Sequence, residues 1–181
     1  VGIMDADVYG PNVPTMLGVH EPKDIANNRI YPAEKFGIKI ISMGFFLKPG
    51  EPVIWRGPML HSAVRQFLND VEWGDLDYLI VDLPPGTGDV VLSLAQTMPL
   101  AGAVIVATPQ AVALEDAAKA VAMFDKVEVP VLGIVENMSH MNCPHCNKEI
   151  DLYGKGGVKK AAERWERRFL GSLPFHTDVR F

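Results

Sequence analysis

Both cysteines of the chain lie in the stretch Met141–Glu149, which reads MNCPHCNKE. Thiolates select Zn²⁺, Cu(I) or iron–sulfur clusters, and zinc or a four-iron cluster usually takes four protein ligands. Cys143 and Cys146 therefore predict a metal site, and their two thiols supply half of its four ligands. His140 and His145 are candidates to complete a zinc site within the chain. A second copy related by a two-fold axis is the alternative, because it would bring the same two thiols.

Carboxylates follow two of the apolar runs. Asp5 and Asp7 come at the end of the first run, where they suit Mg²⁺ or an attacking water, or else cap a turn. Asp82 ends a later run, as the Walker B aspartate does when it holds the water shell of a nucleotide-bound Mg²⁺. The glycines of the next loop let the backbone approach a phosphate. The loop residues that follow the two prolines are Gly86, Thr87, Gly88 and Asp89.

Asn137 follows a further apolar run. Its side-chain amide carries both a donor and an acceptor, so it could read the edge of an adenine base. A turn-forming asparagine explains the same residue equally simply.

The elements that must position these residues are apolar runs alternating with helical patterns. The runs are mostly continuous, which is typical of strands buried on both faces of a parallel sheet. They are Val1–Met4, Ile38–Met43, Tyr78–Val81, Ala103–Ala107, Val131–Val135 and Phe169–Leu173. Helices are predicted at Pro58–Val71, Val90–Met98, Leu114–Val127 and Gly157–Arg168, and an edge hairpin from 29–32 and 37–42. The alternation predicts a three-layer α/β sandwich with a mostly parallel, Rossmann-like sheet, and the carboxyl ends of its strands are where function collects.

Composition bounds the class of protein. The 181 residues suffice for one well-cored domain spanning 1–181, and 48% hydrophobic with 22% charged residues is typical of a globular chain. The net charge of −5 argues against nucleic acid as a main partner. No apolar run approaches the ~20 residues that span a bilayer, so we expect no membrane partner. A cysteine pair without an export signal indicates the cytoplasm or an organellar matrix.

Together these segments resemble the Mrp/ApbC branch of the deviant-Walker P-loop NTPases, which are carriers of iron–sulfur clusters and belong with the MinD/ParA/NifH-like proteins. The resemblance covers the chain from Val1 to Phe181 in the family's order and spacing. The matching motifs are GIMDADVYGPNVP (2–14), WRGPM (55–59), DLPPGTGD (82–89), ATPQ (107–110), ENMS (136–139) and CPHC (143–146).

The resemblance implies a role for each candidate residue. Asp5 and Asp7 would lie near Mg²⁺ and the hydrolytic water, and Asp82 would hold Mg²⁺ through water. Residues 86–89 would lie under the γ-phosphate of ATP. Asn137 would read the adenine, and the loop of Pro174, Phe175 and His176 would close over the base. Cys143 and Cys146, in an insertion at about 138–150, would be cluster ligands.

The function that the resemblance implies is an ATP-dependent iron–sulfur cluster carrier. A cluster, 4Fe-4S by expectation with zinc as the alternative, would bridge a homodimer or a heterodimer with a paralogue. ATP hydrolysis would accompany its transfer to apo iron–sulfur proteins. Two other classes stay open: a MinD/ParA-like positioning ATPase, which does not need the cysteines, and a structural zinc-bridged dimer. Disulfide catalysis fits less well, because a redox Cys-x-x-Cys normally opens a helix.

One family feature is missing from the sequence. The glycine-rich loop with two lysines, which grips the β- and γ-phosphates, does not occur. The stretch GKGGVKK (154–160) shares letters with it but lacks the Ser/Thr for Mg²⁺ and follows no apolar strand, so it predicts an ordinary helix start. We therefore expect an internal piece of a longer protein, truncated before its first strand, phosphate loop and first helix. As it stands, this chain is expected to show little or no ATPase activity.

Overall fold

The computed structural model describes residues 1–47, 57–85, 89–154 and 156–176. Contacts divide the chain into two compact units, 1–98 and 99–181, and each is described by itself. The expectation of a single domain stays a prediction. None of the helices in the described ranges is long and apolar enough to cross a membrane.

Unit one is built on a four-stranded sheet in the order β4-β5-β1-β6. Strand β1 is central and runs parallel to both β5 and β6, so its buried Met4 and Asp5 are enclosed by neighbouring strands. The elements in chain order are β1 (Gly2–Asp5), α1 (Val13–Leu17), β2 (Asp24–Ala26), β3 (Arg29–Tyr31), β4 (Ala33–Lys35), β5 (Ile38–Ser42), a 3₁₀ turn (Met43–Phe46), α2 (Gly57–Asp70), β6 (Leu79–Asp82) and α3 (Asp89–Thr97).

The predicted edge hairpin is wrong in its pairing. Strand β3 pairs with β2, and it is β4 that pairs antiparallel with β5. Two-residue turns explain the pairing: Asn27 and Asn28 have φ of 52° and 62°, and Phe36 and Gly37 have φ of 53° and 72°. Two successive positive φ values are the requirement of the tight hairpin turn whose twist matches the strands.

Unit two carries a three-stranded parallel sheet in the order β11-β8-β7 and a small antiparallel hairpin. Helices α4 and α5 pack against the parallel strands. The elements in chain order are β7 (Ala103–Ala107), α4 (Ala111–Lys126), β8 (Val131–Glu136), β9 (Met141–Asn142), β10 (Glu149–Ile150), α5 (Gly157–Arg164) and β11 (Phe169–Ser172).

Strand and helix positions agree with the predictions, with two corrections at helix ends. Helix α4 begins at Ala111, three residues before the predicted start at Leu114. Helix α5 ends at Arg164 because Glu166 takes a left-handed φ of 55° and the N–H of Arg167 bonds back to the carbonyl of Ala162. This is the Schellman ending of a helix, here without glycine. Residues 156–160 do lead into an ordinary helix, with Gly156 in the N-cap position.

The prediction that the strands are buried on both faces is wrong for the sheet of unit two. Ile105, Ala107 and Ile134 are buried, but Val104 and Val106 on the other face are 50% and 59% exposed. Leu132 and Leu170 of the neighbouring strands are exposed as well. The continuous apolar pattern of these strands therefore reflects two apolar faces, of which the described residues cover one.

Candidate functional site

The carboxyl edge of the sheet in unit one brings together two of the predicted carboxylates. Asp5 on β1 is paired in register with Asp82 on β6 and, on its other side, with Ser42 on β5. Neighbouring strands lie about 4.8 Å apart, so these side chains leave the sheet side by side. The expectation that strand ends gather Asp5 and Asp82 is met by this register.

Asp5 is fully buried and its oxygens already have donors. Ser42 Oγ donates to Oδ2 at 2.7 Å, and the N–H of Asp7 donates to Oδ1 at 3.1 Å. The N–H of Val13 also contacts this carboxylate. Burial raises the pKa of Asp5 and outweighs these hydrogen bonds, which lower it. The geometry therefore makes Asp5 the anchor of the loop that carries Asp7.

Asp7 and Asp82 are the more open carboxylates of this edge. Asp7 Oδ1 accepts N–H groups from Tyr9 at 2.9 Å and Gly10 at 3.1 Å, which holds the loop as a turn. The pKa of Asp82 is raised, first by partial removal of its carboxyl from water and then by the negative charge of Asp7. Two carboxylates that repel each other form a favourable place for a cation.

The carboxylates do not form a closed cage of their own. Among the described residues, no set of three or more His, Cys, Asp and Glu side chains lies close enough to hold a metal ion. Mg²⁺ usually keeps several waters and takes only one or two protein carboxylates together with phosphate oxygens. The edge at Asp7 and Asp82 fits that kind of water-mediated binding.

The loop predicted to lie under the γ-phosphate, residues 86–89, is described only at its last residue. Gly86, Thr87 and Gly88 lie outside the described residues. Asp89 is the first residue of α3. Their assignment to the γ-phosphate stays a prediction.

In unit two, Asn137 stands directly after β8. Its N–H donates to the carbonyl of Ala107 at 2.8 Å, and its side-chain Oδ1 accepts the N–H of Met138 at 2.9 Å. That local bond holds Met138 at a left-handed φ of 53°. The side-chain oxygen thus stabilises a sharp turn, and the adenine contact of Asn137 stays a prediction.

The cysteines sit on the turn of the β9–β10 hairpin. Residues Asn142 and Glu149 pair across it, the N–H of Cys143 bonds to Lys148 O at 2.9 Å, and Asn147 N–H bonds to Cys143 O at 2.8 Å. Asn147 closes the turn at φ 56°. A left-handed position accepts asparagine more readily than most residues, which explains why Asn follows the second cysteine.

The turn also stabilises a thiolate at Cys143. Its pKa is lowered by the backbone N–H of Cys146, then by the N–H of His145 and by the Cys146 thiol. The peptide of the turn therefore points its donors at the sulfur before any metal arrives. Thiolate is the form of cysteine that binds metals, so this lowering of the pKa favours metal ligation by Cys143.

An open hollow of about 620 Å³ lies over the two cysteines. It is lined by the residues of the hairpin turn, including His145, and by Phe175 and His176 from the end of the described chain. His140 lies at the root of the hairpin instead, with Nδ1 2.9 Å from Ser139 Oγ. The structure thus brings the predicted base-covering residue Phe175 to the cysteine turn, while Pro174 is exposed.

Ser42 and Ser139 are site residues that the sequence reasoning missed. Ser42 lies in none of the matched motifs, and Ser139 ends the ENMS motif (136–139) without a role assigned to it there. For Ser42, the available signal is position, because it ends a predicted strand just as Asp5 does. For Ser139, nothing local predicts its partners at Leu173.

Comparison with known proteins places these observations in a family. Residues 1–181 match the ParA-type family described as the NUBPL iron-transfer P-loop NTPase. This chain belongs to that family. The NUBPL family assignment also confirms the α/β P-loop NTPase fold expected from the sequence.

Individual relatives agree with the family. An iron–sulfur cluster carrier protein of Deinococcus radiodurans is 53% identical over 99% of this chain and 51% of its own length. An iron–sulfur cluster transfer protein NUBPL of Dictyostelium discoideum is 50% identical over 99% of the chain and 57% of its own length. The chain thus spans little more than half the length of these relatives.

A solved structure gives the same result in three dimensions. A nucleotide-binding protein of Archaeoglobus fulgidus, solved with ADP and with cobalt, superposes with a TM-score of 0.79 at 35% identity. The match covers 98% of this chain and 70% of that protein.

Proposed function

We propose that this protein is an ATP-dependent carrier of iron–sulfur clusters that holds its cargo between two copies through Cys143 and Cys146. The observation that carries the proposal is the thiol turn, in which two backbone N–H groups and a second thiol stabilise the Cys143 thiolate. This turn occurs in a chain that belongs to an iron-transfer family. Iron and sulfide in a 4Fe-4S arrangement are the proposed cargo, and zinc is the competing occupant.

The ligand count supports a site shared between two chains. Each chain offers two thiols at the turn, whereas a four-iron cluster usually takes four protein ligands. A two-fold partner, either a second copy or a paralogue, supplies the matching pair. Such a site opens when the copies separate, which suits a protein that must release its cargo to apo iron–sulfur proteins.

The carboxyl edge of unit one is the proposed Mg²⁺ end of the nucleotide site. Asp82 and Asp7 orient water around Mg²⁺, and buried Asp5 keeps the Asp7 loop in place. The remaining roles follow the family pattern. In that pattern residues 86–89 face the γ-phosphate, Asn137 reads the adenine, and Pro174 lies beside the base. Hydrolysis of ATP accompanies cluster transfer, in the cytoplasm or an organellar matrix.

Anaerobic reconstitution with iron and sulfide tests the function. The protein at its full length is expected to gain visible absorbance together with bound iron and sulfide. The double variant Cys143→Ser/Cys146→Ser should lose the cluster while its nucleotide affinity stays within about twofold, because the thiols are the only groups that we assign to the cargo. His145→Ala is the matched control and should still load.

The other function classes give different results in the same experiment. A structural zinc protein would bind stoichiometric zinc without visible absorbance. A positioning ATPase would hold neither metal and would hydrolyse ATP equally well with both cysteines replaced. Equal loss of cluster and nucleotide in the double variant would contradict separable sites.

A further inference from the structure

The chain that follows β11 pairs with the root of the cysteine hairpin. Residues 173–176, here called the strap, continue β11 past its last residue. The N–H of Leu173 donates to Glu136 O at 2.7 Å, Ser139 N–H donates to Leu173 O at 3.0 Å, and Phe175 N–H donates to His140 O at 2.7 Å. Phe175 also forms a parallel bridge with Met141, the first residue of β9.

These bonds form one ladder from the end of β8 to the hairpin. The strap makes backbone hydrogen bonds both before and after the turn at Asn137 and Met138. It therefore bridges the turn between β8 and the hairpin. The strap is thus bonded to the same short segment that carries the cysteine turn. Any displacement of the strap must move the hairpin or break these hydrogen bonds.

A buried side chain reinforces the ladder at its middle. Ser139 is 6% exposed, and its Oγ lies 3.1 Å from Leu173 O and 2.9 Å from His140 Nδ1. A buried hydroxyl is costly to leave without hydrogen-bond partners, so these bonds fix the pairing of the strap with the root of the hairpin.

The strap places an aromatic ring at the cargo site. Phe175 is 43% exposed, and it lines the hollow together with both cysteines. A large apolar side chain held beside two thiols restricts the access of water and oxidants to whatever the thiols bind. The shell around a metal site controls its solvent access and its stability in this way.

We propose that the Phe175 ring shields the cysteine site by forming one side of the cargo hollow. The backbone hydrogen bonds of the strap hold the ring in that place. This inference rests on the proposed function, because it assigns a part of the same cargo site. It gives Phe175 a different primary task from the base-covering one implied by the family resemblance. The deciding contacts are its backbone pairing with His140 and Met141 and its place in the hollow lining.

The test compares Phe175→Ala with Phe175→Leu and with Tyr153→Ala in the protein at its full length. Tyr153 is an aromatic control, 44% exposed and on the same unit. After anaerobic reconstitution, the lifetime of the visible absorbance in air is measured, together with ATP affinity and the thermal midpoint. We expect the lifetime to shorten about tenfold in Phe175→Ala, which is the order of magnitude by which losses in the outer shell of a metal site weaken metal binding. Phe175→Leu should restore most of it, and Tyr153→Ala should match the parent.

A second readout does not depend on the cluster. In the metal-free protein, a bulky maleimide should label the two cysteines several-fold faster in Phe175→Ala than in the parent or Tyr153→Ala, with the thermal midpoint unchanged. Unchanged labelling and unchanged cluster lifetime would overturn the inference. So would a loss of ATP affinity at least as large as the loss of cluster lifetime, since Phe175 would then act on the nucleotide.

The two proposals fail in distinguishable ways. If the parent protein binds no iron and sulfide, the cluster function is wrong, and maleimide labelling alone decides whether Phe175 walls the thiols. If the parent loads a cluster and Phe175→Ala changes neither the lifetime of that cluster nor the rate of maleimide labelling, only the role of Phe175 is wrong.

Discussion

Asp5 shows how a single residue can belong to a site without facing a ligand. Its carboxylate is fully buried, and its oxygens accept hydrogen bonds from Ser42 and from the backbone of the Asp7 loop. Burial nevertheless dominates and raises its pKa above the ordinary 3.8. Ionisation of Asp5 therefore costs more free energy in the folded protein than in the unfolded chain.

The pH dependence of stability tests this cost. Because the folded pKa is raised, the proton binds more tightly in the folded state, and stability falls as pH rises from 3.8 through the folded pKa. Asp5→Asn removes this titration, so the free energy of unfolding of the variant relative to the parent should rise with pH over this range, without metal or nucleotide. The amide also gives up one of two acceptor oxygens, which shifts the whole profile of the variant without changing that slope. Urea unfolding across a pH series measures the relative stability at each pH.

The matched control for that series is Asp75→Asn, which removes the same charge from an exposed position. It should leave the pH profile close to that of the parent. A parent and an Asp5→Asn variant with parallel profiles would contradict the raised pKa.

At the residue scale, the site residues that lie at strand ends or in a local motif were predictable from the sequence. Asp5 and Asp82 meet because parallel strands end at the same edge, and the Cys-x-x-Cys turn is a local motif. Phe175 could not be placed, because its partners His140 and Met141 are about 35 positions away and are reached through backbone bonds that no side-chain pattern records. The donors around Cys143 are backbone groups too.

At the scale of elements, the start of helix α5 is stabilised by a carboxylate at the end of strand β8. Glu136, at the end of β8, is 3% exposed, and its Oε2 accepts the N–H of Val158 in the first turn of α5 at 3.1 Å. Its Oε1 accepts from Ser172 Oγ at 3.2 Å. The residue in the cap position is Gly156, which has no side chain to cap the helix, so Glu136 satisfies one of its free N–H groups and favours its dipole.

Glu136→Gln should destabilise the protein by about 1–2 kcal/mol, because an amide replaces one of the two acceptor oxygens and the charge at the helix start is lost. Glu163→Gln, on the exposed side of α5, is the control and should change stability by less than about 0.5 kcal/mol. Chemical unfolding measures both. Equal stability of the two variants would show that Glu136 does not hold the helix.

Element positions were predictable and element partners were less so. Apolar runs located β7 without error and the other parallel strands within about one residue at each end, since a strand with two apolar faces gives a continuous apolar pattern. The small hairpins were mispaired because Phe36 adopts a left-handed φ that its side chain does not announce. Helix α5 was predicted too long for the same reason, as Glu166 ends it without a glycine.

For the whole sequence, the clearest expectation concerns ATP hydrolysis. Asp7 and Asp82 repel each other, and the 181 residues contain no glycine-rich loop with two lysines to attract ATP phosphates to them. We expect the 181-residue chain to hydrolyse ATP no faster than a background control. Phosphate release measured on this chain and on a protein-free control checks the point, and turnover by the chain would contradict it.

The central claim is that thiols from two chains together hold a releasable iron–sulfur cargo. The most direct measurement is the molar mass of the reconstituted protein under anaerobic conditions, by light scattering after size-exclusion chromatography, with iron and sulfide assayed across the peak. The account predicts that iron and sulfide elute with a dimer and that the Cys143→Ser/Cys146→Ser protein carries neither. A monodisperse monomer that keeps stoichiometric iron and sulfide would contradict it.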